Sequence, residues 1–223
     1  MKKKEFDFHK IIWYMILFSI LGLLIETIYG YVSTGILEGR KGLILGPFCP
    51  IYGIGAAFFI VTLSDYKASK VKLFIMGAIV GTIFEYICSY ILQVVYGSKF
   101  WDYSYTTYQI NGRISLTYTM FWGLLAVILI KYIKPQFDKL IDKIPKNPWD
   151  EVISIFLILD IGLTILGISI YMNRAEKRYN NEQINETILD KIFNDDIMSV
   201  IFPNLRLTDE LGNTISVREI LEK

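Results

Sequence analysis

The sequence predicts an all-α integral membrane protein of about five transmembrane helices, arranged as a duplicated-hairpin bundle with a short polar C-terminal tail. Three observations lead there. Apolar residues make up 53% of the 223-residue chain and are gathered into long blocks instead of being spread along amphipathic faces. Lysines collect on alternate connecting segments. Two of the apolar blocks carry a glutamate four residues after a glycine, Gly22 with Glu26 and Gly81 with Glu85.

The blocks run over residues 11–31, 46–63, 71–95, 116–133 and 152–171. Each is long enough to cross a hydrocarbon layer of about 30 Å at about 1.5 Å of rise per residue. A soluble helical bundle would need a polar face through these stretches, and residues 55–63 have none. The first block could imitate a secretory leader. It is longer than such an apolar core, carries Glu26 and lacks a small-residue cleavage site, so a retained first helix is expected.

With a cytoplasmic N-terminus, the inner segments hold Lys2, Lys3, Lys4 and Lys10, then Lys67, Lys70 and Lys72, then Lys131, Lys134, Lys139, Lys143 and Lys146. The outer segments hold fewer: Arg40, Lys41, Lys99 and Arg113, with Arg174, Lys177 and Arg178 after the last block. That bias sets the orientation, and five spans then put the C-terminus outside. Cys49 and Cys88 show no C-x-x-C spacing and read as small apolar residues in packed helices.

Residues 11–63 and 71–133 read as two copies of one hairpin, both starting and ending inside. In the first, Gly22, Glu26 and Gly30 share a helix face; in the second, Gly77, Gly81, Glu85 and Ser89 do. Small residues at that spacing let helices approach closely and turn the face inward. An acid there is costly and is a functional-site hypothesis by default.

Each loop after such a helix carries Gly-Arg, at Gly39–Arg40 and Gly112–Arg113. Two readings follow. The arginines pair with Glu26 and Glu85 as internal clamps, or the four charges, with Asp102, line an outward polar pocket walled by Trp101, Tyr103 and Tyr52. The aromatic residues of the second loop fit either an interfacial belt or a re-entrant, ligand-facing segment. Asp160, with Thr164 and Gly167 on its face, is a third intramembrane acid, open to being protonated, hydrogen-bonded to Thr or Tyr, or part of a proton path.

Between the fourth and fifth blocks, Phe137, Leu140, Ile141 and Ile144 form one face of a short amphipathic helix between Pro135 and Pro145. It would lie on the bilayer surface or dock a cytoplasmic partner. The membrane domain is placed at 1–173 and an extracytoplasmic tail at 174–223. The tail carries a second amphipathic stretch (Ile188, Leu189, Ile192, Phe193, Ile197) and a turn over 208–213. There is no P-loop, and His9 is the only histidine and is assigned to an N-terminal tail. No enzymatic activity, metal, cofactor or nucleic-acid partner is expected.

The ordered residues Gly46, Pro47, Pro50, Ile51, Tyr52, Gly53 and Gly55, then Glu85, Tyr86 and Ser89, then Trp101 to Ser104, Asn111 to Ile114, Leu116, Trp122 and Gly123 resemble a family of bacterial membrane proteins. These are the ABC-transporter permeases of type IV, the CmpB-like group. Phe202, Pro203, Asn204, Arg206 and Leu207 are similar to its tail. Gln93 stands where that pattern often has Glu, and Phe100 where it often has Trp. The resemblance implies a transport subunit of the bacterial cytoplasmic membrane working with a separate ATPase, which would dock near Phe137, Leu140, Ile141 and Ile144. The alternative is a non-transporting membrane scaffold or sensor in which the same charges are structural.

Overall fold

The computed structural model describes residues 7–63, 68–96, 101–184, 187–208 and 214–221. Lys2, Lys3, Lys4, Lys67, Lys99, Phe100 and the centre of the turn over 208–213 lie outside the described residues. Most described residues are helical, with two short two-stranded sheets. Four helical segments are long and apolar enough to cross a membrane: Phe8–Thr34, Lys70–Val94, Leu116–Ile141 and Trp149–Tyr179. The second expected span instead forms a helix of only 14 residues, Pro50–Leu63. Residues 46–49 stay non-helical because Pro47 and Pro50 supply no amide donors and restrict the residues before them. Cys49 and Cys88 are free thiols.

The elements in order are α1 (Phe8–Thr34), α2 (Pro50–Leu63), α3 (Lys70–Tyr96), β1 (Gln109–Ile110), β2 (Ile114–Ser115), α4 (Leu116–Ile128) and α5 (Lys134–Ile141). There follow α6 (Trp149–Tyr179), α7 (Ile188–Ile192), α8 (Asp195–Ile201), β3 (Arg206–Thr208), β4 (Thr214–Ser216) and α9 (Val217–Leu221). By contact the chain divides into two compact units. One comprises Met1–Phe18, Ile51–Val95 and Lys99–Asp150; the other Ser19–Pro50, Tyr96–Ser98 and Glu151–Lys223.

In the first unit, α3 packs on α4 through the predicted glycine face. A Cβ on Gly77 would come within 2.1 Å of the Ala126 Cβ, and one on Gly81 within 2.5 Å of Trp122. Gly123 answers from α4, pressed against the Phe74 carbonyl. With no hydrophobic drive between helices in lipid, this close packing is what holds the pair. A π-helical turn, Leu129–Ile133, joins α4 to α5 without a break. It absorbs Pro135, whose missing N–H would interrupt an ordinary α-helix. The expected separate amphipathic helix is therefore the continuation of a span.

In the second unit, α6 runs unbroken to Tyr179, past the expected end of the membrane domain at residue 173. Residues after it fold onto its C-terminal turns. Tyr171, Ala175, Phe193, Met198, Leu205, Val217, Ile220 and Leu221 form a buried cluster. Arg174 organises the polar side, reaching Asp190 and Asp195 at 2.9 and 2.7 Å. The amphipathic stretch expected there is two short helices. Asn194 caps α8, accepting from the Ile197 amide at 2.9 Å, and so breaks the run. Phe193 is buried while Ile188 and Ile192 are exposed.

Candidate functional site

Glu85 sits on α3 one turn beyond Gly81 and is only 5% exposed. Its two oxygens accept from the Tyr103 hydroxyl and the Trp122 indole, each at 2.9 Å. Tyr103 is carried by the segment between α3 and β1, and its position is set by that loop's turn chemistry. Asp102 accepts from the Ser104 amide and hydroxyl at 3.0 and 2.6 Å, an Asx turn. The Tyr103 amide donates to the Gly112 carbonyl at 2.8 Å, and its ring stacks on Tyr118 at 4.4 Å. Gly112 has φ of +67° and lies against the Asp102 carboxylate, so only glycine fits. Burial, reinforced by the bond to Glu85, raises the Tyr103 phenol far above its ordinary value, so it stays a donor.

Arg113 does not pair with Glu85. Its guanidinium donates to Ser89 at 3.0 Å and to Gln93, one and two turns further along α3. It also lies over the rings of Tyr86 and Tyr90, at 5.8 and 5.6 Å from their centres. The Trp101 indole donates to the Arg113 carbonyl at 2.9 Å, which fixes the backbone of the β1–β2 turn. Glu85, Trp101, Tyr103 and Arg113 are thus gathered in one place. The expected clamp between Glu85 and Arg113 is replaced by neutral partners for each, because Ser89 and Gln93 intercept the arginine.

The other candidate acids belong to the second unit. Asp160 is completely buried, eleven residues into α6. It accepts from the backbone amides of Leu45 and Gly46, at 2.9 and 3.2 Å. One turn on, Thr164 accepts from the Ile44 amide at 3.0 Å. Lys41 donates to the Ile44 carbonyl at 2.7 Å, and the Cys49 amide donates to the Ser19 carbonyl of α1 at 3.1 Å. Non-helical backbone against the middle of apolar helices needs such partners, since each amide left bare there costs several kcal/mol in hydrocarbon, about 4–8 on a cyclohexane scale. Both Asp160 oxygens thus face backbone amides.

Arg40 pairs with Glu38 at 3.4 Å, and its guanidinium lies over Gly30, where a Cβ would come within 3.0 Å of it. Glu26 is half-buried one turn before Gly30. Tyr52 is half-buried in the first turn of α2. Glu26 and Arg40 belong to the second unit, whereas Tyr52 belongs to the first with Glu85, Trp101, Asp102, Tyr103 and Arg113.

A further cluster escaped the sequence reading. His9, assigned to an N-terminal tail, lies in the first turn of α1 and is 4% exposed. Its Nδ1 donates to Asp150 at 2.7 Å, joined by the Trp13 indole at 2.9 Å. Lys10 reaches Asp142 at 2.9 Å, and Tyr14 donates to Asp138. Phe137 stacks on Phe18 at 4.4 Å and Ile141 is fully buried. Two of the four residues assigned to partner docking are therefore consumed by the chain's own packing, leaving Leu140 exposed and Ile144 partly so. Among the described residues no group of acids, histidines and cysteines could hold a metal ion.

The family model described as "Putative ABC-transporter type IV" matches residues 13–165. No curated protein and no solved structure matches the chain.

Proposed function

The chain belongs to the type IV ABC-transporter family, and from that premise we propose that it is a non-enzymatic transport subunit of a bacterial cytoplasmic membrane, acting with a separate ATPase. The observation that carries this reading is that the family match, residues 13–165, runs from within α1 into α6 and so reaches each of the four long apolar helices. The bracket at the start of α1, the end of α5 and the start of α6 supports a docking role. It is held by His9–Asp150 and Lys10–Asp142 and leaves Leu140, Lys139 and Lys143 exposed. The polar group of Glu85, Tyr103, Trp101 and Arg113 is the ligand-facing end, with Glu26 and Arg40 as its counterpart in the first copy of the hairpin.

In this reading residues 44–63 complete a fifth crossing, first as non-helical chain whose amides Asp160 and Thr164 accept, then as α2. The N-terminus is cytoplasmic and the C-terminus outside. A reporter fused after residue 223 tests it. Activity outside supports five crossings, and activity inside leaves four.

The second reading, a non-transporting scaffold or sensor, is favoured by one observation: both oxygens of Glu85 and both of Asp160 already have partners within the chain. Copurification separates the two. A transport subunit captures an ATPase that Leu140→Glu and Lys143→Glu release, and a scaffold captures none. Exchanging the charges of Glu26 and Arg40 with folding kept and function lost supports a pocket; full function after the exchange refutes it.

A further inference from the structure

Among the described residues, the Arg113 guanidinium meets only neutral partners. Ser89 and Gln93 use two of its five N–H donors, and the faces of Tyr86 and Tyr90 flank it. No carboxylate lies within 4.0 Å of it among the described residues. The surroundings are built. Ser89 is fully buried, and the Tyr86 hydroxyl accepts from Asn111 at 3.0 Å. On the open side Tyr90 is 55% exposed, beside the exposed apolar side chains of Ile87, Ile91 and Val94.

Depth adds the second argument. Ser89 and Gln93 lie about 28 and 34 Å along α3 from Lys70, at about 1.5 Å per residue. A hydrocarbon layer is about 30 Å thick, so the guanidinium sits at the level of the lipid phosphates at the far end of the span. An arginine fork with spare donors, next to exposed tyrosine and a lipid-facing apolar flank, matches a phosphate ester in geometry and charge.

We infer that Arg113, with Tyr90 and Asn111, binds the phosphate of a phosphate ester, either a glycerophospholipid headgroup or a soluble phosphate monoester. The inference names what the polar group takes, but it stands on Arg113's surroundings and does not require transport. ATPase capture reads the transport reading separately, so either can fail alone.

The full chain, purified in phosphate-free maltoside micelles, is loaded with phosphatidylglycerol and its retained lipid counted by native mass spectrometry. A parallel arm adds inorganic phosphate or glycerol 1-phosphate and reads the melting temperature. The expected result is retention by the parent chain, reduced about tenfold in Arg113→Gln, the scale of one lost charge-assisted contact. Gln93→Glu keeps the acceptor that Arg113 already uses and adds the missing counter-charge. It should fold as the parent does and lose the same binding, so the test holds even where Arg113→Gln does not fold. A melting shift with soluble phosphate and no lipid retention identifies the soluble source. No binding by the parent chain in either arm, or equal binding by a folded Gln93→Glu, overturns the inference.

Discussion

Glu85 and Asp160 are both acids buried in apolar helices, yet opposite kinds of donor hold them. Asp160 accepts from two backbone amides of a segment more than a hundred residues away, at 2.9 and 3.2 Å. Glu85 accepts from two aromatic side chains, Tyr103 and Trp122. A side-chain donor can be redesigned, or can turn to another acceptor, but a backbone amide exists at every position and must be satisfied where it lies. Asp160 therefore stands in for the helical hydrogen bonds that Leu45 and Gly46 lack, as Thr164 does for Ile44. Glu85 anchors an aromatic roof over one end of a helix pair that glycine packing already holds. One acid substitutes for secondary structure; the other positions a loop.

The largest expected effect follows directly. Asp160→Ala leaves the Leu45 and Gly46 amides without acceptors, each costing roughly 1–3 kcal/mol. The expected outcome is loss of monodisperse protein in detergent and rapid proteolysis between α1 and α2. An unchanged melting temperature would break the comparison, showing that those amides find water. Asp160→Asn restores one acceptor and should recover part of the loss.

Close packing is the next test. Gly77→Leu forces a side chain into Ala126, where even a Cβ would lie within 2.1 Å. Overpacking of this kind costs about 1–3 kcal/mol. The α3–α4 pair should loosen, read as a lower melting temperature, while the second unit keeps its proteolytic pattern. If both units fail together, the two are coupled more tightly than their separate contacts suggest.

Glu85→Gln should cost less than Asp160→Ala, about 1 kcal/mol, because the amide oxygen still accepts from one aromatic donor. Trp122 fluorescence reports the altered neighbour. Tyr103→Phe removes one bond, about 0.5–1.5 kcal/mol, and its effect should overlap with Glu85→Gln instead of adding to it. Full additivity in the double-mutant cycle would mean that Tyr103 acts through its stack on Tyr118 and not through Glu85.

The smallest effect concerns pH and the tail. Thr187 hydroxyl and amide donors, then Arg174, hold the Asp190 carboxyl down at about 2, below its usual 3.8. A lowered folded pKa adds stability that is present above the unfolded value and lost as pH falls through the folded one. Protection of residues 174–221 from acid-active protease should thus hold at pH 5 and decline between about pH 4 and 2. Thr187→Ala should move that decline upward. No movement would assign the anchoring to Arg174 alone.

Much of the α3–α4 pair was legible in the sequence. The four-residue spacing of Gly77, Gly81, Glu85 and Ser89 predicted an inward face, and that face does pack on α4. Of Trp101, Tyr103 and Arg113, expected with Glu85, Tyr103 reaches the acid directly, joined by Trp122, while Trp101 binds the Arg113 backbone and Ser89 and Gln93 take the arginine. Trp122 was the missed partner. Its indole needs an acceptor wherever it is buried, which is a usable signal. His9 with Asp150, 141 residues apart, had no such signal. Nor did Phe137, whose amphipathic pattern fits lipid, partner or chain equally well.

What the sequence determined by itself was local: four apolar segments long enough to span, and the face of α3 that carries the small residues. Those follow from periodicity and backbone chemistry within a few residues. Only the tertiary structure decided who satisfies whom. A carboxylate seeks any donor within about 3 Å, and a fold can bring backbone amides, indoles or phenols into that range from any distance along the chain. Asp160 found amides, Glu85 found aromatic donors, and Arg113 found Ser89, Gln93 and the faces of two tyrosines.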